Sequence, residues 1–283
     1  MPELPEVEIL ARHLDPLLRG SRIRHVEILR PRILRPSDVA SFQHLLNHRV
    51  VAKVRRRAKY LLFDLEPDPA GRPSLLLGHL GMTGRMYLQP RDRPLARHAA
   101  AVFDLDPQLW IFEDPRGFGH LTFDDRPLAS LGPEPLSDTF TRPAWHPALR
   151  HSRQPIKIRL LNPSVVAGIG NIYASECLHL ARLSPRRPAH RLTAAEVDRL
   201  VAAIRQVLSE AIQLGTALTL NFGPAPQRDA LFYYGSDPNT PATVAERFRV
   251  YDRAGQPCPR CGTPIRRSVQ AGRSTFDCPR CQR

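Results

Sequence analysis

Two cysteine pairs near the carboxyl end constrain the fold of this chain more than any other stretch. Cys258 and Cys261, then Cys278 and Cys281, form C-x2-C pairs with 16 residues between them. Each pair sits in a tight turn, Pro257-Cys258-Pro259-Arg260-Cys261-Gly262 and Cys278-Pro279-Arg280-Cys281. Such turns let two thiolates face one ion, and the spacing is that of a four-cysteine zinc ribbon. Disulfides are the other use of such pairs. The amino terminus lacks the basic and apolar regions of a signal peptide, however, and reduced thiols favour metal. Four thiolates close the coordination sphere, so one structural Zn2+ is expected and no catalytic metal. Cys177, alone in an apolar helical stretch, reads as a core residue.

Charge narrows the partner. Lys and Arg number 41 against 27 Asp and Glu, a net charge of +14, so a polyanion is expected. Arginine supplies most of this charge, and its planar fork suits phosphate oxygens, although a high-GC genome also raises arginine over lysine. In the ribbon, Arg260, Arg266, Arg267, Arg273, Arg280 and Arg283 face one acidic residue, Asp277, which predicts several phosphate contacts. The 283 residues suffice for two domains with real cores. No run of 18 apolar residues occurs, so no membrane partner and a cytoplasmic location are expected.

The opening residues Met1-Pro2-Glu3-Leu4-Pro5-Glu6-Val7-Glu8 allow two readings. In one, they start a helix, with Pro5 at the first helical position and Glu6 and Glu8 favouring the dipole. In the other, removal of Met1 leaves Pro2 with a free secondary amine. Such an amine titrates near pH 8, so roughly a tenth is unprotonated and nucleophilic at neutral pH, with Glu3 placed to move protons.

Val7, Leu10, Leu14, Leu17 and Leu18 recur at helical spacing, which predicts a helix from residue 5 to about 18, kinked at Pro16 and ended by Gly20. From Ile23 to Phe123 the pattern shifts to short β-like runs, among them 50–54, 60–65, 75–80, 101–105 and 109–112, as in a β-sandwich or barrel. The cluster Arg55-Arg56-Arg57-Ala58-Lys59 is either an exposed basic edge or a phosphate site. Two glycine-rich turns follow, His79-Leu80-Gly81-Met82-Thr83-Gly84 and Asp114-Pro115-Arg116-Gly117-Phe118-Gly119. By pattern alone, Met82 and Phe118 belong to the core and Arg116 pairs with Asp114. Leu131-Gly132-Pro133-Glu134-Pro135 reads as a break between domains. Beyond it, Gly168-Ile169-Gly170-Asn171 leads into a helix over 172–180, with Asn171 as its cap and N-H groups open to an anion. Thr193 and Glu196 form a capping box for a helix reaching about Leu214. Residues 215–247 hold no period and read as a long loop.

These stretches together resemble the bacterial formamidopyrimidine-DNA glycosylases. The signatures are Pro2 to Glu8, Arg56-Arg57-Ala58-Lys59-Tyr60-Leu61-Leu62, His79-Leu80-Gly81-Met82, Asp114-Pro115-Arg116, Leu131 to Leu136, Gly168 to Glu176, and the terminal ribbon. The resemblance implies an α+β fold in three parts. Residues 1–130 would be an amino-terminal β-sandwich catalytic domain with its amino-terminal helix, 131–247 a helical helix-two-turn-helix domain with a damaged-base loop at 215–247, and 248–283 a zinc-ribbon DNA-binding module. It implies that Pro2 is the nucleophile, Glu3 the acid-base residue, and Lys59 a basic group near the scissile phosphates. Asn171, Arg273 and Lys157 match contacts to the DNA backbone, while Met82, Arg116 and Phe118 match the side chains that fill the gap left by an extruded nucleotide.

The implied activity is that of a monomeric, bifunctional glycosylase and abasic-site lyase on damaged double-stranded DNA, excising oxidised purines in the bacterial cytoplasm. Two departures stand out. Gly117 replaces a second basic residue usual in relatives, and Ala217-Leu218-Thr219-Leu220-Asn221-Phe222 departs from the usual start of the damaged-base loop, which leaves Arg228, Tyr233 and Tyr234 as its candidate contacts. Two other functions are weighed against this one. A preference for oxidised pyrimidines is disfavoured by Leu4, and a non-catalytic zinc-ribbon DNA-binding protein would not need Pro2, Glu3 and Lys59 together.

Overall fold

The computed structural model describes residues 2–216 and 248–283. Beyond its first two residues, the loop expected at 215–247, with Arg228, Tyr233 and Tyr234, lies outside the described residues. The rest falls into two compact units, one holding residues 2–129 and the other 130–214 with 248–283.

The first unit opens with helix α1 (Leu4–Leu18). Val7, Leu10, Leu14 and Leu18 are fully buried along one face, as their spacing predicts. The helix begins one residue earlier than expected, because Glu3 is the N-cap and forms a reciprocal capping box with Glu6; Pro5 is therefore the second helical residue. Pro16 lies within the last turn, and Gly20 follows at φ +77°.

Eight strands and the short helix α2 (Val39–Leu46) come next. One antiparallel sheet has the order β1 (His25–Ile28), β6 (Ala99–Asp104), β7 (Gln108–Glu113), β5 (Arg85–Pro90). The other has the order β2 (Val51–Arg57), β3 (Tyr60–Leu65), β4 (Leu75–His79), β8 (His120–Thr122). The sheets share one apolar core, in which Phe63 of β3 meets Trp110 of β7 at 4.7 Å between ring centroids and Phe103 of β6 stacks on the same indole at 4.0 Å. Strand β2 is an edge, and α1 covers it: the Asp15 carboxylate accepts the Val54 N-H at 2.7 Å. An edge N-H that would otherwise template a further strand is thus satisfied from within the unit. Helix α3 (Arg126–Ala129) ends this unit.

The second unit is helical, with α4 (Arg142–Trp145), α5 (Pro147–Arg150), α6 (Ile156–Leu161), α7 (Asn171–Leu180) and α8 (Ala194–Thr216), followed by the hairpin β9 (Arg266–Gln270) and β10 (Arg273–Asp277). The Thr193–Glu196 capping box forms as predicted, with Thr193 N donating to the Glu196 carboxylate at 2.8 Å. Helix α7 is buried from Ile172 to His179, Cys177 included, so it is a central helix rather than an amphipathic one.

Burying α7 brings Glu176 inside, and its carboxylate accepts three successive backbone N-H groups, Arg249, Val250 and Tyr251, at 2.8 to 2.9 Å. Burial raises the Glu176 pKa against the pull of those donors. Removing the carboxylate strands three amides, each costing about 1 to 3 kcal/mol when left unpaired. Glu176→Ala should therefore lower the free energy of unfolding by about 3 kcal/mol or more, read from urea denaturation.

Candidate active site and nucleic-acid surfaces

In the first unit a series of contacts links the expected catalytic residues. Pro2 is buried and Glu3 is 2% exposed at the start of α1. One turn on, the Glu8 carboxylate accepts from Arg56 Nε at 2.7 Å. Burial opposes ionisation of Glu8, but hydrogen bonds from Arg56 and Arg12 hold its pKa below the usual value. The Arg56 side chain is 7% exposed and also donates to the Ala58 carbonyl at 3.1 Å. Arg55 pairs with Asp64. Within the arginine run, Arg56 is therefore an internal support for the turn that carries Lys59, whereas Arg55 is exposed and its charge is paired at the surface. Ala58, buried, adopts φ +54°, a left-handed conformation costing about 1 to 2 kcal/mol for a residue with a Cβ.

The same hairpin leads to the two glycine turns. Tyr60 pairs in register with His79 across β3 and β4, and the rings lie 4.9 Å apart. Burial, then the facing His120 and Lys59, pushes the His79 pKa down to about 4, so its ring is neutral at pH 7 and Nδ1 accepts the Gly81 N-H at 3.0 Å. Gly81 has φ +60°, and a Cβ there would lie 2.5 Å from the Phe118 carbonyl carbon and the Gly119 nitrogen. Only glycine lets the two turns meet backbone to backbone.

Asp114 fastens them together. Fully buried, it accepts the Thr83 hydroxyl at 2.7 Å and the Arg116 N-H at 3.2 Å on one oxygen, and the Gly119 N-H at 2.7 Å on the other. Its carboxylate is thereby committed to the loops, and the expected Arg116–Asp114 side-chain pair does not form. The Arg116 guanidinium instead lies over the Phe118 ring, 5.4 Å from its centroid. The core reading of Met82 and Phe118 is also overturned, for they are 37% and 52% exposed. Large apolar groups held in water on rigid turns point to a partner rather than to packing.

In the second unit two of the expected DNA contacts converge on one carbonyl, and the third is its neighbour in sequence. Asn171 Nδ2 and Lys157 Nζ both donate to Ser274 O, at 2.9 and 2.8 Å, and Lys157 also reaches Thr275 Oγ1 at 2.7 Å. Lys157 is fully buried, so it supports the hairpin from inside instead of presenting its charge at the surface. Asn171 is not the cap of α7; Gly170 is, and Asn171 is the first helical residue with its side chain on the hairpin. Its Oδ1 is buried without a hydrogen-bond partner. Next to Ser274, Arg273 is exposed at the tip. Arg266, counted above among the phosphate contacts, pairs at 2.6 Å with the buried Asp277.

The four cysteines meet as predicted. Their sulfurs all lie within 4.8 Å of one another, with Cys258 to Cys281 at 3.9 Å and Cys261 to Cys278 at 3.5 Å. They could hold one metal ion. His179 Nε2 lies 3.4 Å from the Cys258 sulfur, a neighbour that the sequence did not mark.

Family models account for most of the chain. The formamidopyrimidine-DNA glycosylase N-terminal domain matches residues 1–121, the H2TH domain of the same enzymes matches 131–222, and a zinc finger found in FPG and IleRS matches 255–283. The chain belongs to the formamidopyrimidine-DNA glycosylase family. A formamidopyrimidine-DNA glycosylase of Symbiobacterium thermophilum is 43% identical, the match covering 100% of this chain and 89% of that protein. One from Thermus thermophilus is 42% identical, with 100% and 98% covered. Among solved structures, the Lactococcus lactis glycosylase in complex with Fapy-dG-containing DNA superposes with a TM-score of 0.85 at 32% identity, covering 99% of each chain. The resemblance read from the sequence motifs is thus confirmed over the full length, as are the α+β fold with its β-sandwich, helical domain and ribbon.

The clamp between the two turns makes a definite demand. Asp114→Ala would leave the Gly119 and Arg116 amides and the Thr83 hydroxyl short of a partner, and should destabilise the first unit by about 2 to 4 kcal/mol in denaturant unfolding. Gly119 should then lose its slow amide exchange while β2 and β3 keep theirs.

Proposed function

We propose that this family member is a bifunctional DNA glycosylase and abasic-site lyase that removes oxidised purines, 8-oxoguanine and formamidopyrimidines, from duplex DNA. The observation that carries the reading is the pairing of a buried Pro2–Glu3 start, capped by Glu6, with exposed Met82 and Phe118 on clamped turns. One provides chemistry at a sugar; the other provides what base extrusion requires. A stacked base cannot present C1′ to an amine, so the nucleotide must leave the helix, and a vacated stack costs a few kcal/mol unless refilled. Met82 and Phe118 supply apolar filling, and Arg116 supplies donors for the orphaned base.

With Met1 removed, the Pro2 nitrogen attacks C1′, the bond from C1′ to the base nitrogen breaks, and the base leaves with that electron pair and a proton. Loss of the ring oxygen's bond to C1′ then gives an iminium between Pro2 and the opened sugar, with Glu3 exchanging protons at the sugar. The iminium draws electrons from C2′, so loss of a C2′ proton expels the 3′ phosphate. Loss of a further proton from C4′ expels the 5′ phosphate, and water releases Pro2. Lys59, on its supported turn, is the cation nearest in role to those phosphates, and Asn171 and Arg273 hold backbone at the hairpin edge.

The four thiolates suit zinc. A tetrahedral Zn2+ with bonds of about 2.3 Å has sulfurs about 3.8 Å apart, close to the separations found. With four protein ligands its role is structural, holding Cys258, Cys261, Cys278 and Cys281 so that β9 and β10 keep their register.

Three outcomes test this reading. A protein that retains Met1, or whose Pro2 is acylated, should bind damaged duplex yet give no borohydride-trapped adduct; a normal adduct yield would refute the nucleophile. Glu3→Gln should slow base excision by about 10²-fold or more with binding largely kept. For the ribbon, Cys278→Ser should release zinc and weaken DNA binding with a shallower salt dependence. Wild-type affinity and slope in that variant would remove the ribbon from the DNA site.

A further inference from the structure

The second unit has an arginine cleft in which three of the ribbon arginines expected to meet phosphate, Arg260, Arg280 and Arg283, join arginines from outside the ribbon that no expected contact includes. It encloses about 660 Å³ and is lined by Arg182, Arg187, Arg199, Arg260, Arg280 and Arg283, together with Glu196 and the sulfur-bearing residues Cys261 and Cys281. A second hollow of about 460 Å³ shares Arg187 and Arg283 and adds Arg186 and Arg191, so the basic lining continues past the first cleft. Lys157, Asn171 and Arg273 are absent from both linings. The separation is built into the hairpin: Arg273 begins β10, whereas Cys278, Arg280 and Cys281 follow its other end. Four steps of about 3.3 Å place the two ends roughly 13 Å apart along the strand.

The charges here are available. Arg187 pairs with Glu196 at 3.0 Å. Among the described residues, the guanidinium groups of Arg182, Arg199, Arg260, Arg280 and Arg283 make no ion pair or hydrogen bond, and all five residues are exposed. Five like charges around one hollow repel one another, and a polyanion laid across them offsets that repulsion. The turn after α7 is tied to the last cysteine turn by Gln282 donating to the Leu183 carbonyl at 3.0 Å and Ser184 N donating to the Arg283 carbonyl at 3.2 Å, and to the first turn of α8 by Arg187 donating to Glu196.

We propose that this cleft is a second phosphate-binding surface, which takes the backbone of a duplex DNA segment beyond the one held at the Asn171–Arg273 edge. The lining decides the class of partner. It contains no aromatic or aliphatic side chain, whereas protein interfaces rely on such anchors at their centres. A row of planar guanidinium forks fits a row of phosphodiesters. Such contacts carry no sequence information; they add affinity and hold the enzyme on DNA around the site it is searching.

The proposal rests on the chain being a DNA-binding protein, but not on the excision chemistry, so undamaged duplex serves as the probe. Each phosphate contact contributes about 0.9 to the slope of log K against log salt. On a duplex several turns long, the double variant Arg182→Gln, Arg199→Gln and the triple variant Arg260→Gln, Arg280→Gln, Arg283→Gln should each lower that slope by roughly 2 to 3. On a duplex of about ten base pairs, one helical turn, the double variant, which lies outside the ribbon, should match the wild type. The corresponding lysine variants should keep the long-duplex slope, and zinc content reports whether the cysteine turns survive. An unchanged slope on long duplex in the double variant, which touches no cysteine turn, overturns the proposal. Loss of binding to an Asp/Glu-rich peptide with an unchanged DNA slope also overturns it, and gives the cleft to an acidic protein segment. Failure of borohydride trapping with these slopes observed would sink the glycosylase mechanism and leave the cleft standing.

Discussion

Four thiolates drawn within 4.8 Å of one another are the constraint on which the second unit depends. The ribbon has a core of only Val250, Cys258, Ile265, Phe276 and Cys278, too little apolar surface to order a hairpin by itself. A metal ion held by both cysteine turns would make up that deficit, because its binding free energy is available only to the folded arrangement. The consequences extend along β10. Its Ser274 carbonyl receives Asn171 and Lys157, so the hairpin tip with Arg273 takes its place through groups that belong to α6 and α7. Glu176 adds the counterpart on the segment entering the ribbon by binding three amides in a row.

The first unit follows a similar logic with carboxylates in place of metal. Asp15 and Glu8 on α1 seize an edge amide and a buried guanidinium of β2, which ties the helix bearing Pro2 and Glu3 to the hairpin bearing Lys59. Asp114 then joins the Met82 and Phe118 turns. Each is a short-range, charge-assisted hydrogen bond in a water-poor setting, where such bonds are strong and geometrically demanding. Exposed apolar side chains can be kept on turns only if the turns are rigid, since nothing in the free protein packs around them. Under the proposed function, rigidity set in this way would lower the cost of inserting into a DNA stack.

Surface charge divides into two kinds once the structure is known. Arg55, Arg56 and Arg266 are neutralised by Asp64, Glu8 and Asp277, Arg56 inside the unit and the other two at its surface. Arg273 and the arginines around the cysteine turns keep their charge for a partner. The net charge of +14 counts both kinds equally, which is why it identifies the class of ligand and not the surface that receives it.

Much of the architecture was legible in the residues alone, because local rules governed it. The spacing of Val7, Leu10, Leu14 and Leu18 defined the buried face of α1, Thr193 and Glu196 announced the start of α8, and the cysteine spacing announced the ribbon. The family motifs added candidate roles that no periodicity contains. What remained for tertiary structure were the long-range pairings: Glu8 with Arg56, Asp114 with Thr83 of the other turn, and Lys157 with Thr275 across more than a hundred residues. Pattern assigned Met82 and Phe118 to the core because hydrophobicity tracks average burial. Their exposure was decided by Gly81 and Asp114, which bring two backbones too close together to leave room beneath them for either side chain.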